Sequence, residues 1–308
     1  MRIAYLILAH HQPRHLGALI ERLDDGNARF FVHLDQKSDI VPFRNAIRSA
    51  RAMLLDERLP IAWGEWNMVQ ATLDLLRRAH QQSPSTHYQL LSGDCYPIKS
   101  NQEIAAKLSS GNFNYITINE QMKPGSRFYD RLLYRRSDRH LINFLKRRRS
   151  LARLNIPTYV GRLIKRVRGK QDRFTGRTLP AGIKPYKGGQ WWCLTHDCAR
   201  YVLDYAEANP RFVQFFRSTR IPDESFFHTI IANSEFVHTL SPGRPRGVIS
   251  GNHYVRWRKV NDYFKSRVLK EGDFDEVVAS QACFARKFSE TQSGELIRLL
   301  HERISDRG

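Results

Sequence analysis

Ile3-Ala4-Tyr5-Leu6-Ile7-Leu8-Ala9 opens the chain as an unbroken apolar run, and Arg29-Phe30-Phe31-Val32-His33-Leu34 repeats the form further on. Runs this short, with no polar alternation, suit strands buried on both faces, as in a parallel sheet. Between them Leu16, Leu19, Ile20 and Leu23 recur at helical spacing, which makes the opening a β-α-β unit. The rhythm continues outward. Met68, Val69, Leu73, Leu76 and Ala79 mark a second amphipathic helix, and Tyr88–Leu91 a further strand. Ser100 and Glu103 make a capping box that starts the next helix. Strands alternating with helices in this way predict an α/β fold, a mostly parallel central sheet flanked by helices.

From about Gln121 to Lys187 the rhythm gives way to a basic stretch, in which Leu132, Leu133, Leu141, Ile142, Phe144 and Leu145 sit beside arginine-rich faces. Regular patterning resumes with a strand at Gln190–Leu194, a helix after Thr195 and a second helix opening at Pro222-Asp223-Glu224. Proline and acids in a first turn suit a helix N-terminus. An aromatic, basic stretch follows from Asn252 to Phe264, and a last amphipathic helix carries Leu296, Ile297, Leu300 and Ile304.

The 308 residues suffice for a full-sized core, and 41% hydrophobic with 11% aromatic side chains excludes wholesale disorder. No window approaches the roughly 18 apolar residues of a membrane span, and no cleavage site follows the first strand, so neither an anchor nor a signal peptide is expected. Cys95, Cys193, Cys198 and Cys283 lack metal-site spacing and read as free thiols in a reducing compartment, the cytoplasm. The net charge of +20 is local in origin, because 16 Lys or Arg residues lie between Arg131 and Arg177 against two acids, Asp138 and Asp172. Such a patch suits nucleic acid, anionic lipid or an anionic glycan.

His10, Asp35 and Asp94 fall just beyond the carboxyl ends of predicted strands, the edge where open α/β sheets bind ligands. There is no dinucleotide fingerprint and no phosphate-cradling P-loop. An aspartate at position 35 would accept hydrogen bonds from a nucleoside, or serve as a turn acid. The one Asp-x-Asp, Asp273-Phe274-Asp275, reads as helix N-capping rather than as a metal site. No metal and no other cofactor is therefore expected, and a lysine or arginine would have to neutralise an anionic leaving group. Lys287, between Phe284 and Phe288, is one candidate. Glu224 is the acid-base candidate: it lies beside Phe226, Phe227, Ile230 and Ile231, where desolvation would raise its pKa.

Several of these segments also resemble one family. Ala4-Tyr5-Leu6-Ile7 through His10-His11, Phe31-Val32-His33-Leu34-Asp35-Gln36-Lys37-Ser38 and Leu91-Ser92-Gly93-Asp94-Cys95-Tyr96-Pro97-Ile98-Lys99 are joined by Gly188-Gly189-Gln190-Trp191-Trp192, Pro222-Asp223-Glu224 and Phe284-Ala285-Arg286-Lys287-Phe288. In this order they resemble the core-2/I-branching N-acetylglucosaminyltransferases and the related peptide O-xylosyltransferases, here in a soluble, bacterial-type form. The resemblance implies a GT-A-like fold and inverting, metal-independent transfer from a UDP-sugar. By position it implies that Asp35 contacts uridine, Glu224 is the general base and Lys287 faces the diphosphate, with His10 and Asp94 on the donor side. The family's second diphosphate cation precedes a hydrophobic-x-Trp stretch, which here reads His253-Tyr254-Val255-Arg256-Trp257, so Arg256 or Arg258 is expected to replace it. Trp63, Trp66 and Trp191 match aromatic or cleft-lining positions and, with Asp223, are assigned to the acceptor; core packing is the other reading of the tryptophans.

On this reading residues 1–308 form a single glycosyltransferase domain. A nucleotide-binding half runs to about 120, a basic insertion spans about 121–187, and an acceptor and catalytic half spans about 188–308. The expected donor is UDP-N-acetylglucosamine and the acceptor a glycan or glycoconjugate hydroxyl, with protein O-xylosylation from UDP-xylose as the alternative. A nucleic-acid-binding protein is the remote alternative, set aside because no nucleic-acid module accompanies the basic patch. Arg131–Arg177 is instead expected to dock on an anionic inner-membrane surface or to engage an anionic acceptor.

Overall fold

A computed structural model describes residues 1–123, 126, 129, 132, 179–242, 251–260 and 263–305. Arg131–Arg177, on which the expectation of an anionic partner falls, lies outside the described residues apart from Leu132.

The chain opens with β1 (Ile3–Ala9), α1 (Pro13–Leu23), β2 (Arg29–Leu34), α2 (Val41–Ala46), β3 (Ala52–Leu54), α3 (Trp66–Gln82) and β4 (His87–Ser92). A short β5 (Tyr96–Pro97), α4 (Asn101–Ser109) and β6 (Tyr115–Gln121) come next, then β7 (Tyr186–Thr195), α5 (His196–Ala208), α6 (Pro210–Arg217), a 3-10 turn over Pro222–Glu224 and α7 (Phe226–Ala232). The remainder is β8 (His253–Val255), β9 (Trp257–Val260), β10 (Tyr263–Ser266), α8 (Phe274–Ala279), β11 (Phe284–Arg286) and α9 (Gly294–Ser305). The central sheet runs β3-β2-β1-β4-β7-β6. Its first four strands are parallel, whereas β7 runs antiparallel to both β4 and β6. This is the expected α/β fold, with a mostly parallel central sheet flanked by helices.

The unbroken apolar run of β1 follows from strand geometry. Successive side chains point to opposite faces, so a strand with helices on both sides needs apolar residues at odd and even positions alike. Ile3, Tyr5, Ile7 and Ala9 join Leu16, Leu19, Ile20 and Leu23 of α1 in one core. Ala4, Leu6 and Leu8 join Val69, Leu73 and Leu76 of α3, with Phe226, Phe227, Ile230 and Ile231 of α7, in the other. The Ser100–Glu103 capping box of α4 forms in both directions. Gln121 pairs with Tyr186, so β6 and β7 bring the two ends of the basic stretch side by side.

Two expectations change. Pro222-Asp223-Glu224 is a separate 3-10 turn rather than the first turn of a helix, and α7 begins only at Phe226. Asp273 occupies the N-cap position of α8 but makes no side-chain cap bond there. Its Oδ2 accepts the amide of Lys270 at 2.9 Å, while Oδ1 meets Arg256 and Arg267. The residue organises the C-terminal region instead of starting a helix.

Burial lowers the pKa of His87 and of His228 to about 4 from an ordinary value of 6.5. Nε2 of His228 donates to the Gly189 carbonyl at 2.9 Å, and its Nδ1 has no hydrogen-bond partner among the described residues. A charged ring there would bury an unsatisfied N–H. Above pH 6.5 both rings are neutral whether the chain is folded or not. Below it the unfolded chain takes up protons that the folded chain refuses, so stability declines as pH falls towards 4 and then levels. Each ring contributes a loss of roughly 3 kcal/mol over that window. Urea midpoints between pH 7 and 4 should fall accordingly and fall less in His87→Gln; a flat profile would contradict the assignment.

Candidate active site

The carboxyl ends of β2, β1 and β4 lie side by side, and each hands the chain to a residue singled out above: Asp35, His10 and Asp94. Main-chain bonds fix these exits, with Asp35 N donating to Ala9 O and Gly93 N to Leu8 O, both at 2.9 Å. Ser38 Oγ donates to His10 O at 2.7 Å, which ties the β2 loop to the β1 loop.

Asp35 is buried. Its Oδ1 accepts the amides of Lys37 at 3.0 Å and Ile61 at 3.4 Å, and its Oδ2 lies 3.3 Å from Lys37 Nζ. The His10 and His11 rings stack with centroids 4.0 Å apart. Desolvation first, and the adjacent His11 second, hold His10 below its usual pKa, although Asp94 and Asp35 pull the other way.

Asp94 is the hub. Its Oδ1 accepts from Gln12 Nε2 at 2.8 Å and lies 3.3 Å from His11 Nε2. Its Oδ2 lies 3.1 Å from Lys287 Nζ and 4.0 Å from the Arg286 guanidinium. The peptide chain is stitched together here as well, because Phe288 N donates to Asp94 O at 2.9 Å and Gln12 Nε2 to Phe288 O at 3.2 Å. β11 thus delivers residues 286–288 from the far end of the chain onto the sheet edge that bears Asp94.

β7 reaches from this cluster towards Glu224. Its Trp191 is buried and carries the Arg286 guanidinium 4.5 Å above the ring centroid. The Pro222–Glu224 turn packs on β7 and on α3. Gly188 of β7 permits the close approach of β6 and α7: a Cβ there would stand 1.7 Å from Thr117 O and 2.4 Å from the His228 ring. Ile221, at a left-handed φ of 55°, starts the turn and donates its amide to Gly64 O at 2.9 Å. Gly64 has φ +73°, so the loop bearing Trp63 is fastened to the turn bearing Glu224. Glu224 is half-buried and Asp223 is buried.

The tryptophans divide. Trp63 is 66% exposed on that loop, whereas Trp66 is 7% exposed and packs edge-on against Phe226 with Arg217 over its ring. Trp66 is therefore a packing residue. The Arg256 guanidinium pairs with Asp273 at 2.8 Å and Glu276 at 2.5 Å, and Arg258 is exposed on β9. His253 is fully buried between Trp191 and Phe284. His11, Gln12 and Arg286 were not assigned from the sequence. The tandem histidines were a usable signal for His11; Arg286 was hidden because neighbouring strand residues normally face opposite ways. Among the described residues no group of three His, Cys, Asp or Glu side chains is placed to hold a metal ion, and all four cysteines are free and buried. No helix of the described residues is long and apolar enough to cross a membrane.

A family model described as "Core-2/I-Branching enzyme" matches residues 3–278. The chain belongs to the Core-2/I-Branching enzyme family. Its curated relatives include human xylosyltransferase 2, 26% identical over 97% of this chain and 33% of that protein. Dog xylosyltransferase 1 is 25% identical over 96% of this chain and 30% of that protein. The chain thus spans about a third of the length of the curated relatives it matches. The crystal structure of HddC from Yersinia pseudotuberculosis overlaps 39% of this chain and 65% of its own at 14% identity, with a TM-score of 0.26, too slight a likeness to argue from. The Core-2/I-Branching match takes in His10, Asp35, Asp94 and Glu224 but stops before Lys287.

Proposed function

We propose that this Core-2/I-Branching enzyme transfers a sugar from a UDP-sugar to an acceptor hydroxyl with inversion and without a metal ion. The observation that carries the reading is the meeting of Lys287 with Asp94 at the sheet edge that also bears His10 and Asp35. Asp35 and His10 flank the nucleoside and phosphate end of the donor. Glu224 takes the proton of the acceptor hydroxyl as its oxygen attacks the anomeric carbon from the face opposite UDP. The bond from that carbon to the phosphate oxygen breaks, and its electron pair leaves with the diphosphate, whose growing charge Lys287 offsets. Trp63, exposed on the loop fastened to the Glu224 turn, offers the acceptor a flat apolar face beside Asp223.

The donor is either UDP-N-acetylglucosamine or UDP-xylose. The xylosyltransferase names of the relatives favour the pentose, whose smaller ring lacks the hydroxymethyl and acetamido groups. UDP release should be measured with each UDP-sugar against peptide and glycan acceptors, with and without excess EDTA. The expected result is turnover with one of these two donors, unchanged by the chelator. Activity that disappears in EDTA and returns with a divalent ion would sink the metal-free reading, and release from no donor would sink sugar transfer altogether.

A further inference from the structure

We infer that Gln12 is a positioning residue of the donor site: by fixing the Asp94 carboxylate and the chain just beyond Lys287, it holds the Lys287 ammonium where the leaving diphosphate would lie. The inference rests on the UDP-sugar reading above and adds a residue that acts without touching the substrate.

The backbone gives the first argument. Gln12 stands between the His10-His11 pair and α1, at φ 59° and ψ 61°. This left-handed conformation is uncommon for a residue with a long side chain, and glycine or asparagine would adopt it more readily. Such strain persists only where the surrounding structure imposes it, and it clusters at functional sites. Helix capping does not account for it. Gln12 occupies the N-cap position of α1, yet its side chain makes no cap bond there.

The side chain instead ties together two distant segments. Nε2 donates to Asp94 Oδ1 at 2.8 Å and to Phe288 O at 3.2 Å, and Oε1 accepts the Glu290 amide at 2.8 Å. A primary amide carries both donors and an acceptor on one terminal group, which a carboxylate or a thioether does not. The consequence for Lys287 is geometric. A carboxylate turns easily about its last torsion. Gln12 and His11 on Oδ1 therefore decide that Oδ2 faces Lys287 Nζ, 3.1 Å away. The bonds to Phe288 and Glu290 hold the chain immediately after Lys287. Glu290 in turn accepts the His15 amide at 2.9 Å, which anchors this clip on α1. One side chain thus locates the ammonium twice, through its carboxylate partner and through its own backbone.

The test is a double-mutant cycle with Lys287, read as kcat for transfer from UDP-xylose or UDP-N-acetylglucosamine, whichever the unaltered enzyme turns over. Displacing the ammonium by about 1 Å predicts that Gln12→Met lowers kcat roughly 10- to 100-fold, with a smaller change in donor KM. Gln12→Glu should lose at least as much, because a carboxylate of the same size cannot donate to Asp94 and repels it. In a Lys287→Met background, Gln12→Met should lower kcat by at most about threefold more, since the group it positions is gone. A packing role alone would lower the melting temperature and leave the two kcat losses additive. That result would overturn the assignment, as would near-parental kcat in Gln12→Met. Gln12→Asn suits the left-handed backbone but ends one methylene short of Asp94, so it carries the same cycle if the methionine variant does not fold. Should the unaltered protein transfer sugar from neither donor, the UDP-sugar reading fails and this inference with it; additive losses in an active enzyme overturn the inference alone.

Discussion

Glu224→Gln is expected to fold, to bind UDP as the unaltered enzyme does, and to lose sugar transfer by roughly 10²- to 10⁴-fold, the range a positioned general base contributes. Glutamine keeps the shape and the hydrogen-bonding reach of the side chain but cannot accept a proton near neutral pH. Main-chain bonds hold the backbone of the turn. Ile221 N is held by Gly64 O at 2.9 Å and Ser225 N by Pro222 O at 3.0 Å, and Pro222, Asp223 and Ser225 are buried around it. The defect should therefore appear in kcat, with UDP affinity and melting temperature close to those of the parent. Glu224→Asp should fall between the two, because its carboxylate sits one methylene short of the acceptor oxygen. Near-parental turnover by the glutamine variant would remove Glu224 from the chemistry and leave it a turn acid.

Much of the fold was legible because burial on both faces of a parallel sheet leaves a local mark. β1 and β2 could be read as strands from unbroken apolar runs, and α1 and α3 from the spacing of Leu16, Leu19, Ile20 and Leu23 or of Val69, Leu73 and Leu76. Once the strands were known, the positions of His10, Asp35 and Asp94 at one edge followed from topology. The turn before α7 escaped because its cause is tertiary: Ile221 is held in a left-handed conformation against Gly64, far away in sequence, and this separates Glu224 from the helix. The ion pairs of Arg256 escaped for a similar reason. Its partners Asp273 and Glu276 come 17 and 20 residues later, on no periodicity that Arg256 shares. The pairing of Arg286 with Trp191 joins two strands of different sheets. Contacts of that kind leave no trace in local composition.

Lys287→Met is expected to lower kcat by roughly 10²- to 10³-fold, since one well-placed donor to a developing anion is worth about 3 kcal/mol. The alternative is that Lys287 only satisfies Asp94, which lies buried with Nζ 3.1 Å away. The two roles differ in what else changes. As a structural partner, lysine would be missed mainly in stability, yet the side chain is 32% exposed and Asp94 retains Gln12 and His11, so the melting temperature should move little. As a ligand of the leaving group, it would be missed more in the transition state than in the ground state, because diphosphate charge grows as the glycosidic bond breaks. The kcat loss should then exceed the loss in donor affinity, and Lys287→Arg should restore part of it by returning a cation to the same carboxylate. Equal losses in donor affinity and kcat/KM, with kcat unchanged, would confine Lys287 to ground-state binding. Full activity of Lys287→Met would leave the diphosphate to other cations and break the link between the C-terminal strand and the chemistry.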